Sequence, residues 1–341
     1  MSDESRKILL AHGGGGRLTS DLIERMILPK FANETLQQLT DAACIETGTT
    51  KVCFTTDSFV VKPLVFAGGD IGKLSVAGTV NDLAVSGARP VGLSLALIIE
   101  EGLEFETLEA ILSSAAAEAK KAGVPIVTGD TKVVEAGAAD GIYINTAGVG
   151  ALIDGVDLSV KRIEVGDKII INGNIGDHGM TIMSQREGIS FTTPLRSDCA
   201  CLNGLISEVL ELGDAIKFMR DPTRGGLAAT TNEIAYSSGH SVLLDEKSVP
   251  IDPTVQAAAD MLGFDLLNIA NEGKVVIVAS AEAAENVVRV CQGNPLGEKA
   301  AIVGEIVATD DEMGPIVEIT TKIAGTRIVQ MPYGRELPRI C

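Results

Sequence analysis

Short apolar runs alternate along the chain with stretches in which apolar residues recur at helical spacing. The runs predict buried strands and the stretches predict helices. In the first half, this pattern predicts helices over 71–86 and 107–121 and strands over 51–61, 90–99, 124–128 and 142–153. In the second half, it predicts helices over 180–186, 202–212, 227–237 and 253–262 and strands over 168–172, 274–279, 300–307 and 316–323. Such alternation is typical of an α/β or α+β fold in which mixed sheets are covered by helices.

Breaks in this pattern divide the chain into segments. Ahead of residue 40 lie a glycine-rich loop and a helix that Thr19 or Ser20 would cap and Pro29 would end. A charged stretch near the middle separates two α/β halves, and a chain of 341 residues is expected to form two domains. The end of the chain has prolines and no periodicity, which predicts an extended, mobile tail. The predicted segments are a loop and helix at 1–39, domains at 40–155 and 156–329, and the tail at 330–341.

The chain carries 46 acidic and 28 basic residues, a net charge of −18. This charge would repel the phosphates of nucleic acid and of an anionic membrane, so we expect neither as a partner. Carboxylates can still bind a polyphosphate through Mg²⁺. The N-terminus does not resemble a signal peptide, and no apolar run is long enough to span a bilayer. These features predict a cytoplasmic protein whose cysteines are reduced.

Four aspartates adjoin strong apolar segments. Asp57 lies at a predicted strand, Asp82 lies inside an apolar helix, and Asp221 precedes two glycines that open a helix. Asp130 belongs to a polar loop predicted at 129–132, straight after a buried strand. Each of these residues alone is typical of a turn or a helix cap. Together, four carboxylates could hold one or two Mg²⁺ ions against triphosphate oxygens.

A glycine-rich segment near the N-terminus could bind phosphates. Its exposed amides, flanked by an imidazole and by Arg17, could wrap an anion, although a flexible linker would have the same composition. The segment consists of His12, Gly13, Gly14, Gly15 and Gly16. Two other glycine-rich segments, 68–73 and 173–179, lack residues that a P-loop or a dinucleotide fingerprint requires. A nucleotide would therefore bind on a different scaffold.

Three further polar residues stand out. Cys341 is the final residue of the proline-containing tail, which could extend about 35 Å and so enter a cleft. Glu272 lies between a predicted helix and a strand, and Lys132 ends the polar loop. Either of these two could be an ordinary surface charge. The other five cysteines are predicted to be small core residues.

Several motifs resemble a known superfamily. Its general elements are Thr-Thr-Asp-Ser at 55–58, Val-Asn-Asp-Leu-Ala at 80–84, Gly-Asp-Thr-Lys at 129–132 and Asp-Pro-Thr-Arg-Gly-Gly at 221–226. More particular are Asn-Ile-Gly-Asp-His-Gly at 174–179, Ala-Asn-Glu-Gly at 270–273 and the ending Pro-Arg-Ile-Cys at 338–341. With these motifs the chain resembles the HypE family of hydrogenase maturation proteins. That family lies within the PurM-like superfamily, which includes aminoimidazole ribonucleotide synthetase and selenophosphate synthetase.

The resemblance implies a two-domain PurM-like fold, a homodimer joined through its N-terminal sheets, and ATP bound in a cleft. The implied Mg²⁺ ligands are Asp57, Asp82, Asp130 and Asp221. The implied nucleotide contacts are His12, Gly13, Gly14, Gly15, Gly16, Thr56, Asn81, Thr131, Thr223, Arg224 and Gly225.

The resemblance also implies a reaction and its partners. A carbamoyltransferase, HypF, would load Cys341, and ATP-dependent dehydration would turn the carbamoyl group into a thiocyanate. The cyanide would pass to a HypC–HypD complex that builds the iron centre of [NiFe]-hydrogenases. Phosphorylation makes the amide oxygen a leaving group. In this scheme Glu272 is the candidate base, Lys132 orients or polarises the carbamoyl group, and Cys341 is the covalent carrier.

Three alternatives remain at this point. Selenophosphate synthetases use a reactive Cys or Sec with a Lys near the N-terminus, whereas the first cysteine here is Cys44. Aminoimidazole ribonucleotide synthetase has no use for a C-terminal thiol. A non-catalytic scaffold with a docking tail would be expected to have lost some of the four aspartates.

Overall fold

The computed structural model describes residues 8–31, 33–48, 51–189, 191, 194–310, 312–333 and 339–341. Pro338 of the ending therefore lies outside the described residues. The helices are α1 (Arg17–Leu22), α2 (Leu28–Phe31), α3 (Ile71–Val85), α4 (Phe105–Ala122), α5 (Asp177–Arg186), α6 (Asn203–Leu210), α7 (Gly226–Ser238), α8 (Pro253–Leu262) and α9 (Ala284–Gln292). The strands are β1 (Ala43–Glu46), β2 (Lys51–Phe59), β3 (Val65–Phe66), β4 (Gly69–Asp70), β5 (Ala88–Glu100), β6 (Ile126–Val134), β7 (Ile142–Leu152), β8 (Lys168–Ile171), β9 (Ile216–Arg220), β10 (Ser241–Asp245), β11 (Val276–Ala279), β12 (Ala301–Val307), β13 (Val317–Thr320) and β14 (Thr326–Ile328).

The N-terminal sheet has five strands in the order β1-β2-β7-β5-β6. β5 and β6 pair in parallel, and the other neighbours are antiparallel. α3 packs against this sheet and against α4, and nearly all of its residues are buried. A Cβ atom at Gly72 would lie 2.2 Å from the carbonyl oxygen of Ile111, so only glycine permits this close packing of the two helices. An enclosed helix of this kind is apolar on all sides.

The C-terminal sheet has seven strands in the order β14-β13-β10-β12-β8-β11-β9. Only β10 and β13 pair in parallel. Side chains of the central strands alternate between two apolar clusters. Ile170 and Ile277 pack with α6 and α9, whereas Ile169 and Val276 belong to the cluster that contains α5, α7 and α8. The predicted α/β architecture with mixed sheets covered by helices is confirmed.

β6 differs from its prediction. A buried strand over 124–128 and a polar loop over 129–132 were expected, but one strand runs from Ile126 to Val134 and its side chains are exposed. β6 is an edge strand, because β5 is its only partner among the described residues. Pairing with β5 satisfies the backbone and overrides the turn-like composition of the Gly-Asp-Thr-Lys segment.

Other elements escape the sequence pattern. β1, β9, β10 and β14 are three to five residues long, too short for an apolar period to stand out. α9 contains a Val-Val-Arg-Val run that is typical of a strand, yet it forms a helix with one buried face. The helix predicted at 180–186 begins earlier, at Asp177. Every helix within the described ranges is too short or too polar to traverse a bilayer.

Four of the five cysteines predicted to be core residues are buried, namely Cys53, Cys199, Cys201 and Cys291. The prediction is wrong for Cys44, which is exposed on β1. Cys44 lies directly across from Cys53 on β2, with 2.6 Å between the two sulfur atoms. β1 has only four residues, so its apolar residues do not show which face of the strand packs against the rest of the molecule.

Candidate active site

A cavity of about 280 Å³ is lined by residues of both halves of the molecule. The N-terminal loop, β2, α3, the end of β9 and the start of α7 all contribute. Its lining consists of Gly15, Gly16, Thr19, Ser20, Ile23, Asp41, Thr55, Thr56, Asp57, Asp82, Arg220, Asp221, Thr223, Arg224, Ala229, Thr230 and Glu233.

Three of the four predicted metal ligands meet in this cavity. Asp57 lies on β2, Asp82 on α3, and Asp221 directly after β9. The hydroxyl of Thr55 donates to Asp82 at 2.8 Å. Burial raises the pKa of all three carboxyls, to about 8 for Asp221, and repulsion from neighbouring carboxylates adds to the shift of Asp82 and Asp221. The cavity therefore concentrates negative charge that a cation would stabilise.

A fourth carboxylate, Asp41, escapes the sequence analysis. Its side chain lies 3.3 Å from Nε of Arg220, and its backbone carbonyl accepts a hydrogen bond from Thr55 at 2.9 Å. Burial raises the pKa of Asp41 although Arg220 opposes the shift. No motif surrounds Asp41, and only the pairing of β1 with β2 brings it to the cavity.

The donor set of the cavity fits Mg²⁺ that is shared with a polyphosphate. Among the described residues, no three acidic, histidine or cysteine side chains converge in an arrangement that could hold a metal ion by themselves. Mg²⁺ in nucleotide sites takes one or two carboxylates and completes its octahedron with phosphate oxygens and water. Buried carboxylates with raised pKa values, open to a cavity, suit that role.

Asp130, Thr131 and Lys132 lie elsewhere, on the exposed edge strand β6. Nζ of Lys132 donates to Asp130 at 2.7 Å. The sheet register runs from Ser58 on β2 through β7 and β5 to Asp130. Three strand spacings of about 4.8 Å place Asp130 about 14 Å from Ser58. One chain alone therefore does not bring these three residues into the cavity.

The glycine-rich loop borders the cavity through Gly15 and Gly16. Gly15 has a φ of +71°, and a Cβ atom there would lie 2.3 Å from Cβ of Arg224, so the loop packs directly on the turn before α7. The guanidinium of Arg224 also donates to the Gly13 carbonyl at 3.4 Å. His12 instead forms hydrogen bonds with the backbone of Leu9 and does not line the cavity.

Two other predicted nucleotide contacts have different surroundings. Thr56 lines the cavity, and its hydroxyl donates to the Thr146 carbonyl at 3.0 Å. Asn81 is buried beside α6, where its amide donates to the Ala200 carbonyl at 3.0 Å and its oxygen accepts from the Leu202 amide at 2.7 Å. Asn81 thus holds the segment ahead of α6 and does not line the cavity. Thr223 lines the cavity, and Gly225 is the N-cap residue of α7.

The last three residues of the chain are docked between the two halves. Nε of Arg339 donates to the Val60 carbonyl at 3.0 Å, and its guanidinium pairs with Asp140 and lies 5.8 Å from the centre of the Tyr143 ring. The Val60 amide donates to the carbonyl oxygen of Cys341 at 3.0 Å. The final three residues, whose resting place the sequence leaves open, therefore lie inside the cleft.

The thiol of Cys341 interacts electrostatically with charged groups of the cavity. Burial raises the pKa of this thiol to about 12, Arg224 opposes the shift, and Glu272, Asp57 and Asp221 add to it. In turn, Cys341 is the largest cause of the raised pKa of Arg224. The predicted carrier thiol and the predicted metal ligands thus share one electrostatic environment.

Glu272 is buried and interacts electrostatically with several of the same charged groups. Burial, together with repulsion from Asp221, Asp198 and Asp57, holds the pKa of its carboxyl well above the usual range. Its Oε1 atom has no hydrogen-bond partner among the described residues. A buried, unpartnered carboxyl with a raised pKa is suited to accept a proton from a bound group.

Comparison with known proteins agrees with this geometry. The model of the AIR synthase related protein N-terminal domain matches residues 39–152, and that of the corresponding C-terminal domain matches residues 164–314. A curated relative from Rhizobium leguminosarum bv. viciae, carbamoyl dehydratase HypE, is 47% identical over 336 residues, which cover 98% of this chain and 95% of the relative.

Solved structures are similarly close. A crystal structure of a HypE–HypF complex matches with a TM-score of 0.86 and 46% identity, covering 91% of this chain and 99% of that one. A structure of hydrogenase maturation protein HypE in complex with ATP matches with a TM-score of 0.82 and 42% identity, covering 98% of this chain and all of that one, 100%. The chain therefore belongs to the HypE family of AIR synthase related proteins.

Proposed function

We propose that the protein is an ATP-dependent carbamoyl dehydratase that converts an S-carbamoyl group on its own Cys341 into a thiocyanate during hydrogenase maturation. The observation that supports this proposal is the docked end of the chain, whose Cys341 thiol interacts electrostatically with Arg224, Glu272, Asp57 and Asp221. The relatives named carbamoyl dehydratase and the ATP-bound relative support it. A terminal thiol beside a carboxylate-rich cavity has no evident use in the reactions of the other superfamily members.

ATP would occupy the cavity, with its phosphates against the glycine-rich loop and the turn before α7. Thr223 and Arg224 offer hydroxyl and guanidinium donors to phosphate oxygens. Asp57, Asp82 and Asp221, with the newly found Asp41, would hold Mg²⁺. When bound, Mg²⁺ would neutralise the phosphates and hold them in place.

The chemistry proceeds in two stages. The carbamoyl oxygen on Cys341 attacks the γ-phosphorus of ATP and ADP leaves, which converts a poor leaving group into phosphate. Elimination of phosphate then forms the C≡N bond, and the nitrogen loses two protons: one leaves with the phosphate as hydrogen phosphate, and the other is taken by the base and released to water. The sum is thiocarbamate plus ATP giving thiocyanate, ADP, hydrogen phosphate and one proton. Glu272 is the base for the nitrogen, since its raised pKa makes its carboxylate a stronger proton acceptor.

A homodimer would complete the site. β6 is an exposed edge strand that carries Asp130 and Lys132 away from the cavity of its own chain, together with the exposed Val127 and Val133. An unpaired edge with apolar side chains is a surface for pairing with another sheet. Across such an interface, Asp130 and Thr131 would reach the nucleotide of the partner, and Lys132 would polarise its carbamoyl group.

Loading of Cys341 requires the tail to leave the cleft. In the docked state the pKa of about 12 keeps the sulfur as a thiol, and a thiol is a poor nucleophile. A carbamoyltransferase, HypF, would therefore meet the free tail, and a relative forms a complex with that protein. A HypC–HypD complex would receive the cyanide, with all partners in the cytoplasm.

Intact-protein mass spectrometry tests the proposal. Incubation with carbamoyl phosphate, ATP and the carbamoyltransferase should add one carbamoyl group, and further ATP with Mg²⁺ should remove one water. Cys341→Ala should show neither change, whereas the control Cys44→Ser should show both. Retention of both mass changes in Cys341→Ala would refute the carrier role.

A further inference from the structure

The docked tail is held by its backbone carbonyl groups. The carbonyl of Arg339 accepts from the Lys62 amide at 3.4 Å, and that of Cys341 accepts from the Val60 amide. Between them, the carbonyl of Ile340 accepts from Nε2 of His178 at 2.8 Å. The Arg339 carbonyl also accepts from the guanidinium of Arg186, whereas the donor to Ile340 is the ring of a fully buried histidine.

The hydrogen bonds of His178 define its tautomer. A carbonyl oxygen only accepts, so Nε2 carries the proton, and Nδ1 is free to accept from the hydroxyl of Ser197, 2.8 Å away. Burial lowers the pKa of His178, which favours this neutral ring. The ring is fully buried and packs edge-on against Phe66, with 5.4 Å between the ring centres. Its donor therefore has one orientation.

The segment that fixes His178 also fixes Glu272. Asp198, the neighbour of Ser197, accepts from the amides of Glu272 at 3.1 Å and Gly273 at 3.3 Å. Its carboxylate also pairs with Lys274 at 2.9 Å in a buried contact. Ser197 therefore orients His178, which binds the end of the chain, and the adjacent Asp198 binds the backbone of the candidate base Glu272.

A second link ties the same elements together. The side-chain oxygen of Asn271 accepts from the amide of Gly176 at 2.8 Å, and Gly176 is the N-cap residue of the helix that carries His178. The amide group of Asn271 donates to the Pro222 carbonyl at 2.9 Å, next to Asp221. Hydrogen bonds of Asn271 therefore connect the helix of His178, the loop of Glu272 and the turn of Asp221.

We propose that His178, oriented by Ser197, is a positioning residue that holds the Ile340 carbonyl and so sets where the carbamoylated Cys341 lies relative to Glu272. This inference rests on the proposed function for its purpose, but the docking itself does not. His178 contacts the backbone one residue before the sulfur, so it acts through the tail and not on the reacting atoms.

Alkylation of Cys341 by iodoacetamide measures docking without ATP or any partner protein. The background carries Cys44→Ser, and peptide mass spectrometry follows Cys341 alone. His178→Asn keeps a polar atom near the position of Nδ1 but leaves Ile340 without its donor, so alkylation should be about tenfold faster, as expected for the loss of one hydrogen bond. His178→Gln can place its amide near the position of Nε2 and should remain close to the parent rate. His240→Asn, at a site outside the cleft, is the matched control.

The outcomes separate the possibilities. The positioning role is supported if alkylation of Cys341 is faster in His178→Asn and returns to about the parent rate in His178→Gln. Equal rates in the parent and in His178→Asn would overturn it, and so would equal acceleration by both variants, because the ring would then act only by filling space. If a His178 variant fails to fold, Ser197→Ala provides the test. This substitution removes the hydroxyl that selects the Nε2–H tautomer of His178, so alkylation of Cys341 should still be faster than in the parent. An unchanged alkylation rate would overturn the proposal. Failure of the dehydration chemistry would leave every one of these rates unaffected.

Discussion

Glu272 is a buried acid surrounded by other acids, which destabilises its carboxylate until a cation or a proton compensates. We expect Glu272→Gln to slow dehydration of preloaded protein by at least about 10²-fold, the contribution of a general base. Loading of Cys341 and ATP binding should be unchanged, since neither uses this side chain as a proton acceptor. Single-turnover mass spectrometry is the measurement, and Glu298→Gln on an exposed turn is the control. Normal dehydration in Glu272→Gln would assign the base elsewhere.

Cys44 and Cys341 should react oppositely with alkylating reagents. The hydrogen bond from Cys53 lowers the pKa of Cys44 to about 7, and Lys51 contributes in the same direction, although burial opposes it. We expect the alkylation rate of Cys44 to rise with pH and reach half its maximum near pH 7, because only the thiolate reacts. Docked Cys341 should remain slow at that pH. Quantitative peptide mass spectrometry over a pH series measures both rates, and a Cys44 profile centred near pH 9 would contradict stabilisation of its thiolate by the hydrogen bond from Cys53.

Sequence reasoning finds residues that lie in distinctive local motifs. Asp57, Asp82 and Asp221 adjoin glycines or apolar segments, and the structure brings all three to one cavity. Asp41 and Ser197 lie in segments without a motif. Asp41 is hydrogen-bonded to Thr55, 14 residues away along the chain, and Ser197 is hydrogen-bonded to His178, 19 residues away. Such roles depend on tertiary contacts, which a single sequence does not encode in any local pattern.

At the scale of elements, β6 is a strand where the sequence predicted a loop at 129–132, and it is also the strand expected to pair with a second chain. Its Gly-Asp-Thr-Lys composition is typical of a loop, and its exposed side chains lack the alternation of a half-buried strand. The long strands β2, β5 and β7 and the helices α3 and α4 were predictable because apolar periods run through them. β6 is an edge strand that a second chain is expected to cover, so its sequence shows no alternation of apolar and polar residues that reflects burial within its own chain.

Mixing two inactive variants tests whether Lys132 acts across a dimer. In a mixed dimer of Lys132→Ala and Glu272→Gln, one cleft would contain an intact Glu272 and receive an intact Lys132 from the partner. Random exchange makes half of the dimers mixed, with one working cleft each, so about a quarter of the normal activity should return. Dehydration measured after mixing, against each variant alone, is the readout. No recovery despite exchange would exclude action in trans.

At the scale of the whole molecule, the carboxylate cluster should make stability depend on pH and on Mg²⁺. Burial raises the pKa of Asp41, Asp57 and Asp82, and that of Asp221 to about 8. The folded state therefore binds more protons than the unfolded state between about pH 4 and pH 8, so the free energy of unfolding falls as pH rises through that window. Arg220 and Arg224 reduce this loss but do not cancel it.

Thermal unfolding in EDTA should accordingly show Tm decreasing from pH 5 to pH 8. Mg²⁺ with ATP should raise Tm more at pH 8 than at pH 5, because the ligand binds to the ionised carboxylates. Asp221→Asn should flatten the dependence, whereas Asp154→Asn on an exposed turn should not. A Tm that is constant across this range in EDTA would show that the cluster stays compensated without a metal ion.

The docked end of the chain, with Arg339 clamped by Asp140 and Tyr143, has a consequence for timing. Under the proposed function, the sulfur of Cys341 would react first at the carbamoyltransferase and then in its own cleft, and it cannot be at both sites at once. The time for which Arg339 stays bound to Asp140 and Tyr143 therefore matters for turnover. If the tail stays docked too long, the carbamoyltransferase has no free thiol to load. If it leaves too soon, the activated group is exposed to solvent before it has reacted. Selection on these few contacts would tune throughput without altering any group that takes part in bond making.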